Sequence, residues 1–163
     1  MLAAVLYGPK DLRIEAVADA PLQSDKVRVR IAYGGICGSD LSYYFKGRVG
    51  DFAVRQPMTL GHEVSGEIQE LGSSVADLVL GMRVAVDPSR PCRSCDYCRA
   101  GRSNLCRQMR FLGSAAVMPH VQGGFRQSLV VRADQCLTVP DGLPLRVVAC
   151  AEPLSVRLAV RAY

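Results

Sequence analysis

Four cysteines fall within fifteen residues, at Cys92, Cys95, Cys98 and Cys106, in the pattern C-x2-C-x2-C-x7-C. Thiols this close in sequence can converge on one soft or borderline cation, which constrains the local fold before any core forms. Zinc takes four tetrahedral ligands, and four cysteines are a common structural set. A structural zinc supplies on the order of 10 kcal/mol, enough to hold a lobe that has almost no core of its own. Two rivals fit less well. Ferredoxin runs also begin C-x2-C-x2-C but continue with x3-C-P, whereas here the last gap is seven and Arg107 follows Cys106. Zinc ribbons separate two C-x-x-C pairs by a longer stretch. The arginines between and beside the cysteines, Arg90, Arg93, Arg99, Arg102 and Arg107, are expected to offset the negative charge of a zinc held by four thiolates.

The chain carries 7 cysteines in all, an odd number. The start, Met1 to Tyr7, has neither the basic region nor the apolar length of a secretory signal, and no apolar run approaches membrane-spanning length. The cysteines are therefore expected to be metal-bound or reduced, and the expected location is the cytoplasm, with no membrane partner. A hydrophobic fraction of 49 % in 163 residues supports one domain with a true core and argues against disorder. The net charge of +5 is modest, and the densest basic stretch is interleaved with the cysteines, so nucleic acid is not an expected partner.

Most of the chain reads as short strands. Leu2 to Tyr7 and Leu12 to Val17 flank a Gly8-Pro9-Lys10-Asp11 turn, and Val27 to Tyr33 and His62 to Glu70 alternate with period two. Met82 to Val86, Phe125 to Val131 and Cys136 to Val139 complete the set. Many short strands separated by Gly/Pro turns predict a mostly β barrel or sandwich. Asp40 to Lys46 reads as a short helix. Pro153 to Tyr163 reads as a helix start, with Leu154, Leu158 and Ala162 on one face. Nothing after that helix buries its apolar face, so the sequence is expected to be part of a larger protein.

A second, looser ligand set comprises Cys37, His62, Glu63 and Glu152. Cys37 lies in a Gly-rich turn, His62-Glu63 opens a strand, and Glu152 begins the last helix. One thiolate, one imidazole and one carboxylate make three protein ligands and leave a position for water or substrate. Each residue alone is a weak signal.

At these residues the chain resembles the zinc-dependent medium-chain alcohol and polyol dehydrogenases. The matching motifs are Gly35-Ile-Cys-Gly-Ser-Asp40, Gly61-His-Glu63, the four-cysteine lobe, Gly123-Gly-Phe125 and Glu152-Pro-Leu154, in the family's order. Lys46-Gly-Arg-Val-Gly50, Gln56-Pro-Met58, Asp87-Pro-Ser-Arg-Pro91 and Met109 to Ser114 with Pro119-His120 resemble the branch of L-idonate and sorbitol (xylitol) dehydrogenases. The resemblance implies a GroES-like, partly open β-barrel over residues 1–150. Residues 151–163 would start the helix leading to an NAD- or NADP-binding Rossmann domain not contained in this chain. In agreement, no Gly-x-Gly-x-x-Gly fingerprint follows a strand here.

The family also implies two zinc ions per subunit, a polyol or sugar-acid substrate, and a full-length homodimer or homotetramer. By carry-over, Cys37 and His62 are zinc ligands and Glu63 or Glu152 is the third. Ser39 takes the first step of a proton relay, Tyr43 lines the substrate pocket and Val156 abuts the nicotinamide. Relatives often have His where this chain has Ser42, and Ser42 cannot act as a base near neutral pH. His120, in a loop beside Pro119, is expected to be exposed and is the one histidine available to substitute. Two other readings stay open: a truncated, inactive zinc-stabilised β-domain or binding module, and electron transfer through an iron–sulfur cluster.

Overall fold

The computed structural model describes residues 1–161, with side chains described to Leu158. Strands β1 (Leu2–Gly8) and β2 (Asp11–Ala16) form a hairpin whose turn places Lys10 at φ 63. There follow β3 (Lys26–Gly35), helix α1 (Gly38–Lys46), and the two-residue strands β4 (Arg48–Val49), β5 (Phe52–Ala53) and β6 (Met58–Thr59). Next come β7 (Glu63–Leu71), β8 (Arg83–Val86), β9 (Ser89–Arg90), α2 (Asp96–Arg99) and β10 (Arg110–Phe111). The chain continues with β11 (Ser128–Arg132), β12 (Cys136–Thr138), α3 (Leu145–Val148) and α4 (Ala151–Arg161).

One sheet runs β11-β3-β7-β8-β12 and a second β2-β1-β6; β4-β5 and β9-β10 form two small ladders. Every strand pairing among the described residues is antiparallel. The segment before β11 joins the two larger sheets. Ala4 N–H donates to Phe125 O (2.8 Å), Gln127 N–H to Leu2 O (3.0 Å), and Ile31 N–H to Gln127 O (3.0 Å). One stretch of backbone thus serves both sheets, and the result is the partly open, mostly β barrel expected from the sequence.

Alternation in β3 sends Val27 and Val29 into the main core with Ile68, Val84, Leu129 and Val131. Arg28 departs from the pattern, since it is 9 % exposed. Its guanidinium meets Asp19, Glu70 and Ala20 O, so the buried charge is matched. Strand β7 departs as well, with Glu63 through Gly66 all buried. Helix α3 covers the face that alternation assigns to solvent, and Ser65 Oγ donates to Leu145 O at 2.7 Å. A second core cluster gathers Leu6, Tyr43, Met58, Leu60 and Ala115.

Helix α4 starts at Ala151, two residues before the predicted start, with Pro153 in its first turn, where no N–H is needed. Leu154, Val156 and Leu158 are more than half exposed; Ala162 and Tyr163 lie outside the described residues. Membrane insertion has no support from the helices: none of those described is long and apolar enough to cross a bilayer.

Candidate active site and metal centres

Cys37, His62 and Glu63 come together at the junction of three elements. Cys37 is the residue before α1, with extended dihedrals, and Glu63 begins β7, where it is the register partner of Gly35 at the end of β3. Their candidate ligand atoms, with one from His62, all lie within 4.8 Å of one another. His62 and Glu63 are 5 % and 8 % exposed. His62 Nδ1 is buried and has no hydrogen-bond partner among the described residues. A buried, unsatisfied imidazole nitrogen costs free energy unless something uses it. Beside it lie one sulfur and one carboxylate, the donor set of a catalytic zinc site with three protein ligands. The residues present therefore fit the metal that the resemblance implies.

Asp40 organises this junction, a role the sequence reading did not assign. It is 2 % exposed. One carboxylate oxygen accepts Cys37 N–H at 3.0 Å and the other accepts Gly61 N–H at 3.1 Å. The latter oxygen also stands 4.0 Å from His62 Nδ1. Local spacing offers half of the signal, because an acid three residues after a helix N-terminal boundary is a capping arrangement. Gly61 must be glycine for two reasons: its φ is +93°, and a Cβ there would press into the Phe125 ring. A Cβ on Gly35 would overlap the Glu63 carboxylate.

Glu152, in the first turn of α4, stands outside the tight trio. Burial raises its carboxyl pKa; His62 lowers it, while Glu63 and Asp87 add to the rise. With Phe111, Ser155 and Val156 it lines a largely apolar cavity of about 450 Å³. The Phe111 ring meets His62 edge-on, centroids 5.4 Å apart. In the sequence Phe111 stands out only as part of the Met109 to Ser114 motif; in the structure it touches both His62 and the cavity.

Ser39 is half-buried in the first turn of α1. Ser42 Oγ donates to Gly38 O at 3.0 Å. Tyr43, expected on the pocket wall, is 3 % exposed in the second core cluster, and its hydroxyl accepts Ala115 N–H at 3.0 Å. His120 corrects an expectation, being buried at 5 % exposure rather than exposed. Its Nε2 accepts Arg55 N–H (2.9 Å) and its Nδ1 faces Val117 O (2.9 Å). This is the neutral tautomer with both nitrogens engaged, so His120 is not free to stand in for the missing base.

The second centre is the lobe between β9 and β10. The sulfurs of Cys92, Cys95, Cys98 and Cys106 lie within 4.8 Å of one another, and those of Cys92 and Cys98 are 4.0 Å apart. A zinc tetrahedron with bonds of about 2.3 Å has sulfur–sulfur edges of about 3.8 Å, so the cage needs little contraction. Backbone amides point at the sulfurs: Cys92 N–H to Cys106 (3.2 Å), Cys95 N–H to Cys92 (3.4 Å) and Gln108 N–H to Cys106 (3.4 Å). Ser94 and the Cys95 amide bring the Cys92 thiol down to about 6. Burial, and then the neighbouring Cys95 and Cys106 sulfurs, push Cys98 up to about 12. Four packed sulfurs resist sharing negative charge, which a divalent cation removes. Of the lobe residues from Cys92 to Cys106 only Cys106 is buried, so the lobe lacks a core of its own. The arginines expected to offset the cage are partly spent elsewhere. Arg107 pairs with Asp96 through two bonds (2.9 and 2.8 Å) and lies over Tyr97 with Arg102, while Arg93 pairs with Asp134.

The chain matches the family model described as the alcohol dehydrogenase GroES-like domain over residues 23–141. It is 41 % identical to the sorbitol dehydrogenase of Bacillus subtilis (strain 168) over 156 residues, 96 % of this chain and 43 % of that protein. It is 47 % identical to the L-idonate 5-dehydrogenase (NAD(P)(+)) of Escherichia coli (strain K12) over 130 residues, 80 % of this chain and 37 % of that protein. The crystal structure of L-idonate 5-dehydrogenase from Escherichia coli superposes with a TM-score of 0.88 at 42 % identity, covering 95 % of this chain and 44 % of that one. The chain thus spans less than half the length of these relatives. With a mostly β barrel, a cysteine cage and a Cys/His/Glu cluster in the matched region, the chain belongs to the alcohol dehydrogenase GroES-like domain family.

Proposed function

We propose that this chain is the zinc-binding catalytic part of a dehydrogenase that moves hydride between a secondary alcohol of a polyol or sugar acid and NAD(P). Residues 1–150 are the catalytic unit, and 151–163 lead toward a nucleotide-binding domain. The observation that carries the reading is the convergence of Cys37, His62 and Glu63 within 4.8 Å beside the cavity under α4. The substrate class rests on similarity to proteins named for sorbitol and L-idonate. Zinc held there would supply a Lewis acid for an alcohol oxygen, and NAD(P) would supply the hydride acceptor.

The chain's own residues do the rest. Cys37, His62 and Glu63 would hold the catalytic ion; Glu152, which lines the cavity outside that trio, would act on it from a greater distance. Asp40 fixes the Cys37 and Gly61 backbones, and so the aim of two ligands. Ser39, two residues past Cys37, relays the alcohol proton, its hydroxyl giving its own proton to a solvent water as it takes the substrate's; Ser42 and His120 offer no base. Val156 borders the nicotinamide side and Phe111 excludes water around His62; Tyr43, packed with Leu6, Met58, Leu60 and Ala115, does not line this cavity. Cys92, Cys95, Cys98 and Cys106 hold a structural zinc. Assembly into a homodimer or homotetramer belongs to the same proposal for the whole protein.

Metal analysis tests the sites. The chain is expected to carry two zinc equivalents; Cys37→Ser removes one and Cys98→Ser the other. Iron in the preparation, or a single equivalent untouched by Cys37→Ser, would overturn the assignment. The alternative is a zinc-stabilised domain without catalysis. It shares both ions but gives no NAD(P) reduction even when a nucleotide-binding domain follows residue 163. The enzyme reading expects turnover there, and none from the 163-residue chain alone.

A further inference from the structure

The neck of the cysteine lobe carries an unresolved charge problem. Arg90 and Arg110 are direct register partners in the two-residue β9-β10 ladder, and like charges directly opposite each other are destabilising. Both line a small cavity of about 30 Å³ together with Lys26, Arg132 and Gln135, and no carboxylate lines it. Asp134 takes Arg132 through two hydrogen bonds (3.0 and 2.8 Å). Lys26, Arg90 and Arg110 have no ion-pair partner among the described residues. Arg110 Nε is buried without any hydrogen-bond partner, and its Nη2 reaches only Pro119 O at 3.4 Å. Gln135 cannot relieve this, because its amide is committed to Asp87 O, Ser89 O and Arg132 N–H.

We infer that this cavity binds one monatomic anion, chloride in solution, held by Arg90, Arg110 and Lys26. Size points to a small anion: the space of about 30 Å³ exceeds the roughly 10–15 Å³ needed for one water, and a halide fits it. Water would fill the volume without supplying the missing charge. Arg90 stands two residues before Cys92 and Arg110 four after Cys106, so the anion ties both strands of the neck to β3 and steadies the lobe against the barrel. This site is separate from both metal centres and does not depend on the proposed reaction.

Crystals of the zinc-loaded chain grown in sodium bromide should show an anomalous peak in this cavity. Thermal unfolding, with chloride exchanged for gluconate at constant ionic strength, should show saturable stabilisation. The folded-to-unfolded ratio is expected to rise about tenfold at ten times the dissociation constant. Arg110→Met should lose that response and Arg110→Lys keep part of it; if Arg110→Met does not fold, Lys26→Met serves the same comparison. Absence of the peak, or an equal chloride response in wild type and variant, refutes the site. A larger response to inorganic phosphate, lost in Arg110→Met, refutes the monatomic assignment.

Discussion

Replacing Asp40 by Asn tests whether one carboxylate aligns the proposed ligands Cys37 and His62. The two side chains have nearly the same shape, so packing is unchanged and the chemistry of the acceptor is what differs. Asp40 accepts Cys37 N–H at 3.0 Å and Gly61 N–H at 3.1 Å from an almost fully buried position. Asn offers one carbonyl oxygen, so one of the two amides must face an NH2 group. The loss is one charge-assisted bond, about 1.5–3 kcal/mol, and the remaining donor is buried unpaired. Together these put the cost at about 2–4 kcal/mol, within the stability of an ordinary domain, so the variant folds. The displaced amide belongs to either Cys37 or Gly61, each adjacent to or part of the ligand set, and zinc affinity should drop about 10- to 100-fold at that centre. Denaturant unfolding of the metal-free chain measures the first quantity and competition with a chromophoric chelator the second. The cysteine cage provides the internal control, since its affinity should not change. Wild-type stability and wild-type affinity at the first centre would refute the role given to Asp40.

Gly61→Ala combines a positive φ with a Cβ inside the Phe125 ring, so about 2–5 kcal/mol of destabilisation is expected in denaturant unfolding; a neutral result would refute the requirement for glycine at this position. Cys136 predicts an alkaline effect. Burial pushes its thiol from about 9.0 up to about 12, so the folded chain binds the proton more tightly than the unfolded chain. The resulting stability is fully present below pH 9 and is lost as pH rises toward 12. Relative to Cys136→Val, wild type should lose about 2 kcal/mol between pH 9 and pH 10.5; parallel curves would contradict this. If the proposed dehydrogenase activity is present once a nucleotide-binding domain follows, Ser42→His should add an ionisation near neutral pH to the rate profile, and unchanged profiles would rule out the Ser39-and-water relay.

What the sequence disclosed follows from how far apart the interacting parts lie. The cysteine cage was legible because its four ligands sit within fifteen residues and local spacing alone aims them. The hairpin β1-β2 and the alternation of β3 were legible for the same reason. The two-residue strands were not: β6 exists only because Met58 and Thr59 pair with Leu6 and Val5, and two residues carry no period. The anomalies in β3 and β7 also come from distant partners, since Arg28 is buried by meeting Glu70 and β7 is covered by α3. His120 looked like an exposed loop residue, yet its Nε2 takes the amide of Arg55, 65 residues away. The Cys/His/Glu cluster shows the boundary most clearly. Cys37, His62 and Glu63 were individually visible, but sequence could not rank Glu63 against Glu152. The antiparallel register that sets Gly35 opposite Glu63 delivers that carboxylate to Cys37, while Glu152 depends on where a later helix begins. Asp40 lies between the two cases: its bond to Cys37 spans three residues and its bond to Gly61 spans twenty-one. A ligand set assembled from separate loops needs such a bridge, because no single turn of backbone can hold all three donors in place, and the bridging residue is the part of a metal site that sequence spacing shows least.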